Sequence, residues 1–200
     1  MTLSSLGEGI RFVRRSQILF STMLLDFVSS FFASASTLYP IFAHEILRVG
    51  PQGLGLLYSA QSVGAVVAGT GMSFVGDLRR KGRLILWALA LYGAATALYG
   101  MSRWFALSIF LLAVAGGADT LSTILRNTLR QLMTPDQLRG RMAAVNMVFA
   151  RGGPQLGNME AGLVAAWIGA PLSVITGGVA TLIIVGMVTW RVPQLRNGRD

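Results

Sequence analysis

The sequence contains no cysteine and only one histidine, His44. Disulfide bonds and thiol chemistry are therefore excluded. Zinc sites usually take several ligands from cysteine and histidine, and a serine hydrolase needs a histidine beside its nucleophile. The composition thus predicts a protein that is not an enzyme, with no metal site and no cofactor.

Charge is also scarce, because only 12% of the 200 residues are charged, whereas 53% are hydrophobic. A typical soluble domain has about 25% charged residues. Apolar runs recur near the length of about 20 residues that a helix needs to cross the hydrocarbon layer of a membrane. We predict an all-α membrane protein, a single bundle of six transmembrane helices over 1–200. The predicted spans are 17–43, 53–76, 84–101, 104–125, 142–168 and 170–190.

The net charge of +9 comes from basic residues that follow the predicted spans. They cluster before the first span, within 77–83, within 126–141, and after the sixth span. The positive-inside rule then predicts that both termini and these two connections are cytoplasmic. Because this bias accounts for the positive charge, we expect a lipid bilayer as partner and no nucleic acid.

Four ionisable residues lie inside predicted spans: Asp26, Asp119, Arg151 and Glu160. Such residues cost about 2.5–3.5 kcal/mol each on insertion scales, so they usually face protein or a water-filled cavity. Helix geometry gives Arg151, Asp26 and Asp119 similar depths. We predict that Arg151 pairs with one aspartate, preferably Asp26, and that the unpaired one, Asp119, carries a proton. The alternative is that Arg151 bonds only to carbonyls and amides.

The fifth span has two distinct faces. Arg151, Gln155 and Asn158 form a polar stripe at spacings of four and three, which predicts the lining of an aqueous path. Gly153 and Gly157 lie on the other side and have the spacing that lets helices pack closely. The alternative for the stripe is that it joins helices by hydrogen bonds.

Two further polar residues within the predicted spans, Glu160 and Gln61, are candidate site residues. Glu160 lies beside the packing glycines of the fifth span. Gln61 is the only strongly polar side chain of the second span, where it either contacts a transported ligand or makes a hydrogen bond between helices.

The cytoplasmic connections carry recognisable motifs. The sequence GDLRRKGR, at 76–83, is a basic turn in which we expect Gly76 and Gly82 to supply backbone freedom. The sequence MTPDQLRGR, at 133–141, predicts a helix start with Thr134 as the capping residue and Gln137 closing a capping box.

These motifs carry a family resemblance. GDLRRKGR resembles the loop signature of the major facilitator superfamily, with its counterparts at Gly76, Asp77, Arg79, Gly82 and Arg83. LRNTLRQLMTPDQLRGRMAAVN and GGPQLGNMEAGL resemble the tenth and eleventh helices of bacterial exporters of the enterobactin and drug-efflux type. The resemblance covers the whole chain and matches the second half of such transporters.

The resemblance implies a function. A transporter of this family has twelve spans in two halves, so the chain is expected to join an N-terminal half or a second copy of itself. Together they would export a small siderophore- or drug-like amphipathic molecule, coupled to protons, across the bacterial inner membrane. The alternative is an orphan or truncated half with no transport activity, acting only as a structural or assembly protein of the membrane.

Overall fold

The computed structural model describes residues 17–32, 36–76 and 80–192 of the chain. Within these ranges almost every residue is helical, and each of six long helices overlaps one of the six predicted segments. Their bounds are α1 Gln17–Phe32, α2 Gly50–Phe74, α3 Lys81–Met101, α4 Phe105–Met133, α5 Asp136–Ile168 and α6 Ala170–Arg191.

Four of the described helical stretches have the length and apolar composition of a membrane span. Among the described residues, four helical stretches are long and apolar enough to cross a membrane: Leu19–Ile46, α3, α4 and α6. Helix α2 has 25 residues and α5 has 33, so both are long enough. They fall outside the set because their mean hydropathy is lower. Glycine and serine lower it in α2, and the polar stripe lowers it in α5.

The described part of the chain between α1 and α2, which begins at Ser36, is irregular. It forms a 3-10 turn over Ser36–Leu38, one α-helical turn over Tyr39–Ile41 and a π-helical turn over Phe42–Ile46. The Phe42 ring stacks on Tyr99 of α3 with 4.6 Å between ring centroids. Both side chains are fully buried, so this segment is anchored in the core rather than lying on the surface.

The helices pack as a sequence of neighbours in the order α2, α4, α3, α6, after which α1 and α5 complete the bundle. Glycine allows the closest approaches. A Cβ atom on Gly64 would meet the backbone of Ala113, and one on Gly178 would meet the backbone of Ala97. Helix α1 packs closely on α5 and α6 but touches α4 only sparsely. Side-chain contacts across the α1–α4 gap therefore matter for closing the bundle.

The connection between α4 and α5 differs from the prediction. We expected the fourth span to end at residue 125 and a connection over 126–141, but α4 continues to Met133 and only two residues separate it from α5. Arg126 and Arg130 are consequently buried inside the bundle, with 1% and 4% of their surface exposed. Their charge is compensated by ion pairs within the protein, which the sequence analysis did not predict.

The predicted capping box at this connection is also wrong. Pro135 occupies the cap position of α5, and no side chain caps the helix. The Thr134 hydroxyl instead donates a 2.6 Å hydrogen bond to the carbonyl oxygen of Arg130, on the last turn of α4. Thr134 therefore satisfies the end of one helix rather than the start of the next.

The 76–83 turn is described in part, since Asp77 and Arg79 lie outside the described residues. Arg80 has a left-handed backbone with φ of 72°, whereas Gly82 lies buried in the first turn of α3. Among the described residues of this turn, the left-handed conformation is thus that of Arg80, and neither Gly76 nor Gly82 has a positive φ. Arg83, on the same turn of α3, is exposed.

Candidate functional site

Arg130 of α4 joins three helices through its buried side chain. Its Nη2 donates to Asp26 Oδ2 at 2.8 Å and to the carbonyl oxygen of Thr22 at 3.1 Å, both on α1. Its Nη1 donates to Oδ1 of Asn127, at 3.3 Å, and to Oδ1 of Asn146 on α5. One guanidinium group therefore ties α1, α4 and α5 together.

Arg126 lies one turn deeper on the same face of α4. Its Nη2 is 3.3 Å from Asp26 Oδ1 and 3.9 Å from Asp119 Oδ1. It also donates to the hydroxyls of Ser29, at 3.3 Å, and Thr123, at 3.1 Å. Because a guanidinium is planar and keeps its charge, this pattern of donors holds the side chain in one orientation.

We call Asp26, Asp119, Arg126 and Arg130 the ion-pair cluster. Two carboxylates face two guanidinium groups, so the cluster is electrically neutral when both aspartates are ionised. It bridges the sparse contact between α1 and α4. The Nε–H groups of both arginines are buried and donate to no acceptor among the described residues, so the cluster is not fully satisfied.

The two aspartates differ in their surroundings. The Asp26 side chain is 13% exposed, and its two oxygens face one arginine each. The Asp119 side chain is 42% exposed and has one distant counter-ion. Asp26 is thus held between two arginines in the protein interior, whereas the Asp119 side chain is more accessible.

The predicted ion pair between Arg151 and an aspartate is wrong. Within the described residues Arg151 makes no ion pair, its side chain is exposed, and Arg126 and Arg130 take both aspartates. The sequence does contain a signal for the true partners. Asp119, Thr123, Arg126 and Arg130 follow at spacings of four, three and four, which places them on one face of a continuous helix.

The polar stripe of α5 lies on the surface of this chain. Arg151 and Gln155 are exposed, and Arg151 stands one residue before the midpoint of the helix. Asn158 is partly buried, and its Oδ1 accepts a 3.5 Å hydrogen bond from the Ser36 hydroxyl. Two side chains of the stripe, Arg151 and Gln155, are therefore exposed, and the third, Asn158, binds the irregular segment after α1.

The opposite face of α5 packs on α1. A Cβ atom on Gly157 would meet the backbone of Ser30 and Phe31, and one on Gly153 would lie 3.2 Å from the Ser30 side chain. Glu160 is partly buried and forms no ion pair with a described residue. The two glycines therefore let α1 and α5 approach more closely than larger residues would permit.

Gln61 makes a hydrogen bond between elements. Its Oε1 accepts a 2.8 Å bond from the hydroxyl of Tyr39, which belongs to the irregular segment. Its backbone lies directly against Gly116 of α4. This geometry favours the packing alternative for Gln61 over a ligand contact.

A cavity of about 260 Å³ opens beside the cluster, between α4 and α5. Arg130, Asn127 and Asn146 form its inner wall, and Arg139 contributes to its rim. The Arg139 guanidinium is 3.0 Å from the exposed Asp136 carboxylate. The cavity brings polar groups to the end of the bundle where α4 connects to α5.

The ion-pair cluster lies between long apolar helices. Such an arrangement is typical of an integral membrane protein with a polar interior. Comparison with known proteins agrees with this class. A family model described as "transmembrane secretion effector" matches residues 2–199. The chain belongs to this family of transporters, within the major facilitator superfamily, and is not an enzyme.

Curated relatives give a more particular similarity. The enterobactin exporter EntS of Escherichia coli strain K12 is 26% identical over 198 residues, which cover 99% of this chain and 47% of that protein. The same values hold for the enterobactin exporter of strain HS and of strain EC4115 of serotype O157:H7. The chain spans about half the length of the curated relatives it matches. No solved structure matches it.

Proposed function

We propose that the chain acts as one six-helix half of a proton-coupled secondary transporter. With a second six-helix half it exports a small amphipathic molecule, of siderophore- or drug-like kind, by alternating access. In this proposal all six helices cross the bacterial inner membrane, and both termini are cytoplasmic. Similarity to half the length of an enterobactin exporter supports the division into halves.

The observation that carries the proposal is the polar interior of α1, α4 and α5. Charged side chains are expensive in lipid and are retained where they line a path or carry an ion. Here the ion-pair cluster includes one partly accessible aspartate, Asp119, and a polar stripe lies on α5, which packs on α1. Secondary transporters place such groups near the middle of the membrane, between structural repeats.

Proton coupling is assigned to Asp119. Asp26 contacts two buried arginines, and neither guanidinium group would be well compensated without its charge. Asp119 can take up a proton at smaller cost, since it has one counter-ion at 3.9 Å and an accessible side chain. Protonation of Asp119 would leave Arg126 paired with Asp26 alone and so alter the contact between α1 and α4.

The test is active efflux from membrane vesicles that contain this chain together with a second six-helix half. An imposed proton gradient should drive efflux, and Asp119→Asn should abolish the drive. Asp136→Asn is the matched control, because Asp136 is exposed and pairs only with Arg139 at the surface. That variant should keep full proton-driven efflux.

Three outcomes would contradict parts of the proposal. Proton-driven efflux that survives Asp119→Asn would remove its role as proton carrier. Saturable proton-driven flux by a monomer of this chain alone would contradict the division into halves. Absence of flux with the second half present would favour the structural or assembly role.

A further inference from the structure

Arg151 stands apart from the other arginines of the bundle. Arg126 and Arg130 are buried and balanced by two aspartates, whereas Arg151 is exposed and has no ion pair among the described residues. Glu160 does not balance it, because nine residues of helix separate the two and place them on opposite sides of α5. The stripe on α5 therefore carries an uncompensated positive charge.

The position of Arg151 excludes a simple surface role. It lies near the midpoint of a 33-residue helix, roughly 14 Å and 26 Å from the two ends of the predicted span 142–168 at 1.5 Å per residue. A guanidinium so far from both ends is beyond easy reach of the phosphates of lipid headgroups, even with its side chain extended. An anion that meets it must enter the polar interior of the transporter.

The neighbours of Arg151 supply matching chemistry. Gln155 follows one turn later on the same stripe and is also exposed, so its amide can donate to the same ligand. A planar guanidinium binds a carboxylate through two parallel hydrogen bonds. Arginine and glutamine together form a set of donors that fits the oxygen atoms of an anion.

We propose that Arg151, assisted by Gln155, is the recognition site for a carboxylate group of the transported molecule. The inference rests on the proposed function and narrows its substrate from amphipathic molecules in general to those that carry such a group. The rival partner for Arg151 is a carboxylate of the second half, and the experiment separates the two.

The test measures binding and flux of benzoate and benzamide in the assembled transporter. These probes have nearly the same shape and differ in charge. The unmodified transporter should bind benzoate at least about tenfold more tightly, which equals about 1.4 kcal/mol. Arg151→Gln should remove the preference and leave benzamide binding unchanged, whereas Arg151→Lys should retain part of it.

Arg103→Gln provides the matched control, because Arg103 is exposed in the connection between α3 and α4. This variant should keep the full preference for benzoate. Equal affinities for the two probes in the unmodified protein, or no benzoate binding up to its solubility limit, would overturn the proposal. Loss of association with the second half on Arg151→Gln would show that the arginine pairs with a protein carboxylate, and would overturn it too.

Binding and flux are scored separately, so that failure of the inference differs from failure of the proposed function. Preferential benzoate binding without flux of either probe would support the anion site and contradict transport. Proton-driven flux that does not distinguish benzoate from benzamide would support transport and contradict the anion site.

Discussion

Replacing Asp26 with asparagine should destabilise the bundle strongly. The Asp26 carboxylate lies 2.8 Å from Arg130 and 3.3 Å from Arg126, and these arginines are 4% and 1% exposed. Both guanidinium groups are therefore largely shielded from water, and removal of the anion leaves them poorly compensated. Breaking a buried ion pair in this way costs about 3–5 kcal/mol, because an uncompensated charge stays inside the protein.

Asp119→Asn is the matched comparison on the same cluster. The Asp119 side chain is 42% exposed and its ion pair with Arg126 is 3.9 Å long, so this contact is weaker than either ion pair of Asp26. Exposed pairs contribute about 0–1 kcal/mol. The two variants make the same chemical change, and their free energies of unfolding should therefore differ by about 2 kcal/mol or more.

The assay is reversible denaturant titration of the chain in lipid–detergent micelles, followed by tryptophan fluorescence. A double variant, Asp26→Asn with Arg126→Gln, guards against the single variant failing to fold. Removing one charge of each sign should restore part of the stability, with a coupling energy of about 0.5–3 kcal/mol. Equal losses for Asp26→Asn and Asp119→Asn, together with simple additivity in the double variant, would refute the reasoning.

The remaining predictions concern packing and topology. Gly116→Ala should cost about 1–3 kcal/mol of unfolding free energy, because its Cβ would strike the backbone of α2. Gly71→Ala, which has open space around it, should cost nothing in the same titration. Tyr39→Phe should cost about 0.5–1.5 kcal/mol through loss of its hydrogen bond between elements, and an unchanged stability would argue against that bond. Single cysteines replacing the exposed Arg103 and Gln137 should label with impermeant reagent from outside intact cells at the first position only, and the reverse pattern would invert the topology.

The six helices could be predicted from the sequence because apolar length is a property of each segment alone. The close packing of α5 was also visible, since Gly153 and Gly157 recur at one-turn spacing. Both features depend on residues that are near one another in the chain.

The partners of the buried charges depend on which helices become neighbours, and this is not a local property. Arg126 and Arg130 looked like the basic border of a membrane span, because positive residues usually mark cytoplasmic ends. In the structure the helix continues past them, and Asp26 of a distant helix compensates their charge. The stripe that they share with Asp119 was the one signal that favoured a longer helix over a border.

The central claim is that the polar stripe of α5 faces water inside the assembled transporter, while the adjoining exposed surface faces lipid. Gln155 and Leu156 test it directly, because they have nearly the same depth, are both exposed in this chain, and point 100° apart on the helix. The chain has no cysteine of its own. Rates of reaction with a charged, water-soluble thiol reagent should be measured for Gln155→Cys and Leu156→Cys in the transport-competent assembly. The account predicts that the cysteine at position 155 reacts at least about tenfold faster, since thiols react as thiolates, which require water. Equal rates, or faster reaction at position 156, would contradict it.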